Sequence, residues 1–66
     1  MRIKEFRESK NLTQQQMADK IGISLSFYSK IEAGFKKPSY NFIKKVTEAF
    51  DDVNTNIFFE EINHSK

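Results

Sequence analysis

LTQQQMADKIGISLSFYSKIEAG, residues 12–34, reads as two short helices joined by a tight turn. Thr13 stands at the N-cap of the first, and Gln16, three residues on, is placed to reach back and complete a capping box. Leu12 just outside and Met17 at the fourth helical position supply the matching hydrophobic staple. Met17, Ala18 and Ile21 then share one face at helical spacing. Gly22 ends the helix, because a left-handed backbone is cheap only for glycine. Ser24 opens the next helix as an N-cap, with Ile23 and Tyr28 as the apolar pair around it. Tyr28 and Ile31 form its inward face, and Gly34 stops it. Helix, three-residue turn, helix is the geometry that lays a recognition helix in the major groove of DNA.

The flanks extend the helical reading. A first helix is expected over about residues 1–10, with Ile3, Phe6 and the stem of Arg7 inward, and Asn11 as a left-handed end. Phe35 to Ser39 forms a connection in which Pro38 blocks helix continuation and pushes Lys37 toward extended backbone. Ser39 caps a fourth helix, about 40–50, whose buried stripe is expected to be Tyr40, Ile43, Val46, Ala49 and Phe50. Asp51 to Asn54 is a polar turn. A fifth helix is expected over about 55–62. Its run Ile57-Phe58-Phe59 cannot all face one core, since neighbours sit about 100° apart. Either Ile57 or Phe58 caps the core, which leaves Phe59 as a candidate dimer contact or as a singly exposed side chain. The expected organisation is one all-α, compact five-helix domain over residues 1–62, followed by a frayed tail, 63–66.

Composition narrows the function. Sixty-six residues allow one domain with a small core. Cysteine is absent, so neither a disulfide framework nor a thiolate metal site is available. No apolar run approaches the length of a membrane span, and Met1-Arg2-Ile3-Lys4 lacks the apolar region of a secretory signal; a cytoplasmic protein is expected. The net charge of +2 hides an asymmetry: residues 1–45 carry ten Lys or Arg against four Asp or Glu, and residues 46–66 carry Lys66 against five acids. A basic body with an acidic end suits a chain that presents one face to a polyphosphate. The residues argue against an enzyme. The single histidine, His64, lies in the tail, and no ordered histidine or cysteine is available to pair with a serine nucleophile. Glu60 and Glu61 point apart on a helix, and Gly22 and Gly34 are helix stops, not parts of a phosphate loop.

The ordered set LTQ, MA, IGIS and YSKIEAG, followed by Pro38-Ser39, resembles the Cro/CI-type (XRE) helix-turn-helix regulators of phages and bacteria, over about Phe6 to Phe59. The resemblance implies a lambda-repressor-like DNA-binding domain. It also pairs Arg7 with Glu32; read from the residues alone, these are equally two separate surface charges. The family usually carries an apolar residue near Asp52. The carboxylate here departs from that pattern, and Val53 is the residue placed to take over the packing.

A recognition helix, here about 25–33, meets base edges with its N-terminal residues. The expected base contacts are Ser24, Leu25, Ser26, Ser29 and Lys30, on the side away from Tyr28 and Ile31. Lys30 can donate to guanine O6 and N7, Leu25 suits a thymine methyl, and the serines discriminate weakly. Phe27 either folds back on the core or lies along the sugar-phosphate backbone. Gln14 is the phosphate contact that the resemblance implies, at a helix start that already favours an anion. Lys36 and Lys37 are further backbone candidates, with Asn41 and Lys10 weaker. A module this small is expected to act as a homodimer on a palindromic operator, with half-sites about 34 Å apart and with Phe59 and Ile62 in the dimer contact. The partners expected are double-stranded DNA and a second copy; no metal, cofactor, small-molecule ligand or membrane is implied. The rival reading is a protein-interaction module of the same fold, such as an antitoxin or an anti-repressor-binding component, using the acidic aromatic end.

Overall fold

The computed structural model describes residues 2–58, and among them are four α-helices, one 3-10 turn and no strand. The helices are α1 (Ile3–Ser9), α2 (Gln14–Ile21), α3 (Leu25–Ala33) and α4 (Tyr40–Ala49), and the 3-10 turn is Thr55–Phe58. The three expected N-caps are in place. Thr13 and Gln16 form the reciprocal capping box on α2. Ser24 and Ser39 accept from the backbone N–H of Phe27 and of Phe42, each at 3.1 Å, which satisfies one orphan donor at each helix start.

The first three helices end alike. Asn11, Gly22 and Gly34 take left-handed backbone with φ of 60°, 80° and 92°. Each sits in a Schellman closure, where the next residue's N–H returns to a carbonyl one turn back. The returning bonds are Leu12 to Arg7 (3.3 Å), Ile23 to Ala18 (3.0 Å) and Phe35 to Lys30 (2.8 Å). Three sharp stops convert one short chain into helices that fold back on one another.

The core is built from Ile3, Met17, Ala18, Ile21, Tyr28, Ile31, Phe42, Val46, Phe50 and Phe58. Phe42 is its hinge: its ring centroid lies 6.3 Å from Tyr28 and 6.1 Å from Phe58. A second aromatic contact, Phe6 edge-on to Phe50 at 5.2 Å, joins α1 to the end of α4.

Two expectations are corrected here. The α4 stripe is Phe42, Val46 and Phe50, with Ile43 and Ala49 at its margin, while Tyr40 is 77% exposed. As the first residue after the Ser39 cap, Tyr40 lies outside the face that meets α2 and α3. The fifth helix, as far as Phe58, is a single 3-10 turn. Asn54 diverts the local hydrogen bonding, its side chain accepting from Asn56 N–H at 2.9 Å and its carbonyl from Ile57 N–H at 3.1 Å. Phe58 is the residue that enters the core, and Ile57 packs beside it half-buried. Phe59, Ile62 and the tail lie outside the described residues. Val53 packs against the core as expected, and exposed Asp52 turns outward to pair with Lys10.

Candidate nucleic-acid interface

The two faces of α3 differ sharply. Tyr28 and Ile31 are fully buried, while Ser24, Leu25, Ser26 and Lys30 are exposed and Ser29 is partly so. The expected base-reading set therefore shares a surface. Ser24 spends an Oγ lone pair on the cap. Ser29 donates its hydroxyl to the Ser26 carbonyl at 3.1 Å, so Ser29 meets an incoming group chiefly as an acceptor. Lys30 is the side chain on this face that carries charge, and Leu25, 39% exposed, is its apolar element.

Phe27 packs against the core, half-buried, and the ammonium of Lys36 lies 5.7 Å from its ring centre. The contact ties the connection after α3 back onto the helix and leaves Phe27 a wall between core and surface. Lys36, Lys37 and Asn41 are exposed. Lys10 is engaged elsewhere: it pairs with Asp52 and sits 5.5 Å from the Phe6 ring centre. That hydrogen bond from Lys10 holds the Asp52 carboxyl below its ordinary range.

Glu32 is the polar centre behind this surface. Its Oε2 accepts from Arg7 Nε at 2.9 Å and from the Tyr28 hydroxyl at 2.6 Å. Its Oε1 accepts from Arg7 Nη2 at 3.2 Å and from Gln14 Nε2 at 2.7 Å. Arg7 Nη1 continues to the Leu12 carbonyl at 2.7 Å. Burial alone would push the Glu32 carboxyl up, but the hydrogen bonds from Arg7, Tyr28 and Gln14 outweigh it and hold it below the usual carboxylate value. The bond to Glu32 raises the Arg7 pKa, so the guanidinium stays charged despite burial. Burial first, and then the bond to Glu32, push the Tyr28 phenol far above its ordinary range. The hydroxyl is thus a permanent donor.

Gln14 is accordingly engaged by its side chain, which faces Glu32; in the first turn of α2 the Gln16 N–H is taken by the Thr13 cap, which leaves those of Gln14 and Gln15 without an intrahelical partner. Two aromatic side chains flank this surface exposed. Phe35 is 83% exposed and Tyr40 77%, at either end of the Lys36-Lys37-Pro38-Ser39 connection. A readable signal for Phe35 existed: it follows the Gly34 stop and belongs to no helical stripe.

The helix-turn-helix family matches residues 3–58. The chain is 39% identical over 49 residues to an uncharacterized HTH-type transcriptional regulator, YqaE, of Bacillus subtilis, covering 74% of this chain and 42% of that protein. It is 44% identical over 55 residues to the cryptic phage CTXphi transcriptional repressor RstR of Vibrio cholerae, covering 77% and 49%. It is 36% identical over 50 residues to the HTH-type transcriptional regulator AnsR of Bacillus subtilis, covering 76% and 43%. The chain thus spans less than half the length of these curated relatives. No solved structure matches it at the same stringency.

Proposed function

The chain belongs to the Cro/CI-type (XRE) helix-turn-helix family, and on that premise we propose that it is a transcriptional repressor that binds specific sequences of double-stranded DNA. The observation that carries this reading is the outward face of α3. Ser26, Ser29 and Lys30 point away from the buried Tyr28 and Ile31, with Leu25, 39% exposed, at the margin of that face, and their chemistry matches the major-groove edges of base pairs. In this reading α3 lies in the major groove with Ser24, Leu25, Ser26, Ser29 and Lys30 against bases. The first turn of α2 at Gln14, together with Lys36, Lys37 and Asn41, lies along the sugar-phosphate backbone, while Phe27 stays packed against the core. Neutralising about four to six phosphates per subunit makes log affinity fall with log salt by about 0.9 per phosphate.

The chain acts as a homodimer on an inverted repeat, because one module of this size covers too little DNA for tight, selective binding. Phe59 and Ile62 are the proposed dimer contact. No helix among the described residues is long and apolar enough to cross a membrane; the proposed place of action is the cytoplasm of a bacterium or phage host.

Selection of bound sequences from a random duplex pool, at near-physiological salt, tests the proposal. Enrichment of an inverted repeat with half-sites about one helical turn, 34 Å, apart supports it. Uniform, salt-sensitive binding without enrichment would overturn it and favour the protein-interaction reading.

A further inference from the structure

We infer that the Gln14–Glu32 hydrogen bond is a clamp across the open end of the helix-turn-helix, and that Gln14 serves DNA binding as a positioning residue. The second half of this inference rests on the DNA-binding reading above. α2 and α3 are joined at one end by the turn at Gly22–Ser24, fixed by the N–H of Ile23 returning to Ala18 at 3.0 Å. Gln14 is the first residue of α2 and Glu32 the next to last of α3, so their 2.7 Å bond spans the ends that the turn leaves free. Burial of Met17, Ala18 and Ile21 from α2 in one apolar core with Tyr28 and Ile31 from α3 draws the helices together without direction. A hydrogen bond has direction and selects one crossing angle.

Both ends of the clamp are anchored. Arg7 and the Tyr28 hydroxyl hold the two Glu32 oxygens, and Arg7 also grips the Leu12 carbonyl at 2.7 Å, two residues before Gln14. The geometry matters because two surfaces must meet one duplex at once: the unpaired N–H groups at the start of α2 reach a phosphate, and the Leu25–Lys30 face reaches the bases. Without the Gln14 amide, Glu32 keeps three of its four donors, so the fold persists while the start of α2 is released.

Gln14→Met preserves chain length and helix preference and removes the amide. In the free protein, residual dipolar couplings should report a changed orientation of α2 relative to α3, with α4 unchanged. In the wild type, the Gln14 side-chain amide resonances should move as Glu32 is protonated in acid, over the pH range in which the backbone amide spectrum shows the fold intact. Affinity of Gln14→Met for the most enriched duplex should fall roughly three- to thirtyfold. The loss should persist on every duplex in a series carrying one methylphosphonate each. Unchanged couplings, or an amide indifferent to Glu32 protonation, would remove the clamp. A loss that disappears on one neutralised phosphate would make Gln14 a direct phosphate ligand instead. Absence of any enriched duplex for the wild type would overturn the DNA-binding reading and the positioning role with it, while altered couplings would still sustain the clamp.

Discussion

Arg7 and Glu32, twenty-five positions apart, meet through two N–H···O bonds, Nε to Oε2 at 2.9 Å and Nη2 to Oε1 at 3.2 Å. Their side chains are 11% and 4% exposed. The pair fastens α1 to the far end of α3, and its remaining bonds draw in α2 and the Leu12 carbonyl. Such a pair need not add net stability over an apolar equivalent, because desolvating both charges is expensive. Its value lies in what happens when one member is removed.

Arg7→Ala leaves the Glu32 carboxylate buried with Tyr28 and Gln14 as donors and no countercharge. The expected loss is about 3–5 kcal/mol, a large part of the stability of so small a domain. Lys4→Ala, on the exposed side of the same helix, should change stability by less than about 0.5 kcal/mol. Thermal melts of the two variants decide the matter; equal melting temperatures would remove the buried-pair account.

Acid should unfold the protein through the same carboxylate. The folded Glu32 pKa lies below its ordinary 4.5, so above that pH both folded and unfolded states are ionised and the contribution is fully present. As pH falls below 4.5 the unfolded chain takes up a proton that the folded one refuses, and stability declines until the folded carboxyl itself is protonated. Asp52, held low by Lys10, acts in the same direction but is exposed and screened. Denaturant titrations between pH 7 and pH 3 should therefore show a slope below 4.5 that is much reduced in Glu32→Gln. A slope unaltered by that substitution would assign the acid sensitivity to other carboxylates.

The two aromatic residues at the start of α4 offer a contrast in burial. Phe42 is fully buried between Tyr28 and Phe58, whereas Tyr40 is 77% exposed. Phe42→Ala should cost about 3–5 kcal/mol, and Tyr40→Ala less than about 0.5 kcal/mol. Comparable losses would mean that the core runs along the other stripe of α4.

That contrast also marks where the sequence stops being legible. Caps and stops are local chemistry: Thr13 with Gln16, Ser24, Ser39, Asn11, Gly22 and Gly34 each act where their neighbours alone place them. Tyr40-Ile43-Val46 and Phe42-Val46-Phe50 are both helical stripes, and only the approach of α2 and α3 chooses between them. The short 3-10 turn follows from Asn54 competing for backbone donors, which hydrophobic pattern does not register. The outward set on α3 could be read because Tyr28 and Ile31 define the opposite face. The orientation of Gln14 could not, since it depends on a carboxylate eighteen residues away. Phe35 is legible in a different way: it follows the Gly34 stop and belongs to no helical stripe, and it is exposed.

Lys30 is the cation on the proposed base-reading face, exposed on α3 one residue before the buried Ile31. If it donates to guanine O6 and N7, Lys30→Ala should relax preference at one position of each half-site and cost about 1–3 kcal/mol there. Because its side chain is exposed, the melting temperature should stay close to that of the wild type. Repeating the duplex selection with the variant measures the base preference, and binding to random duplex measures the background. Loss confined to the selected sequences identifies a base contact. An equal loss on selected and random DNA, with the salt slope reduced by about one phosphate, would place Lys30 on the backbone and shift the burden of readout to Leu25 and the serines.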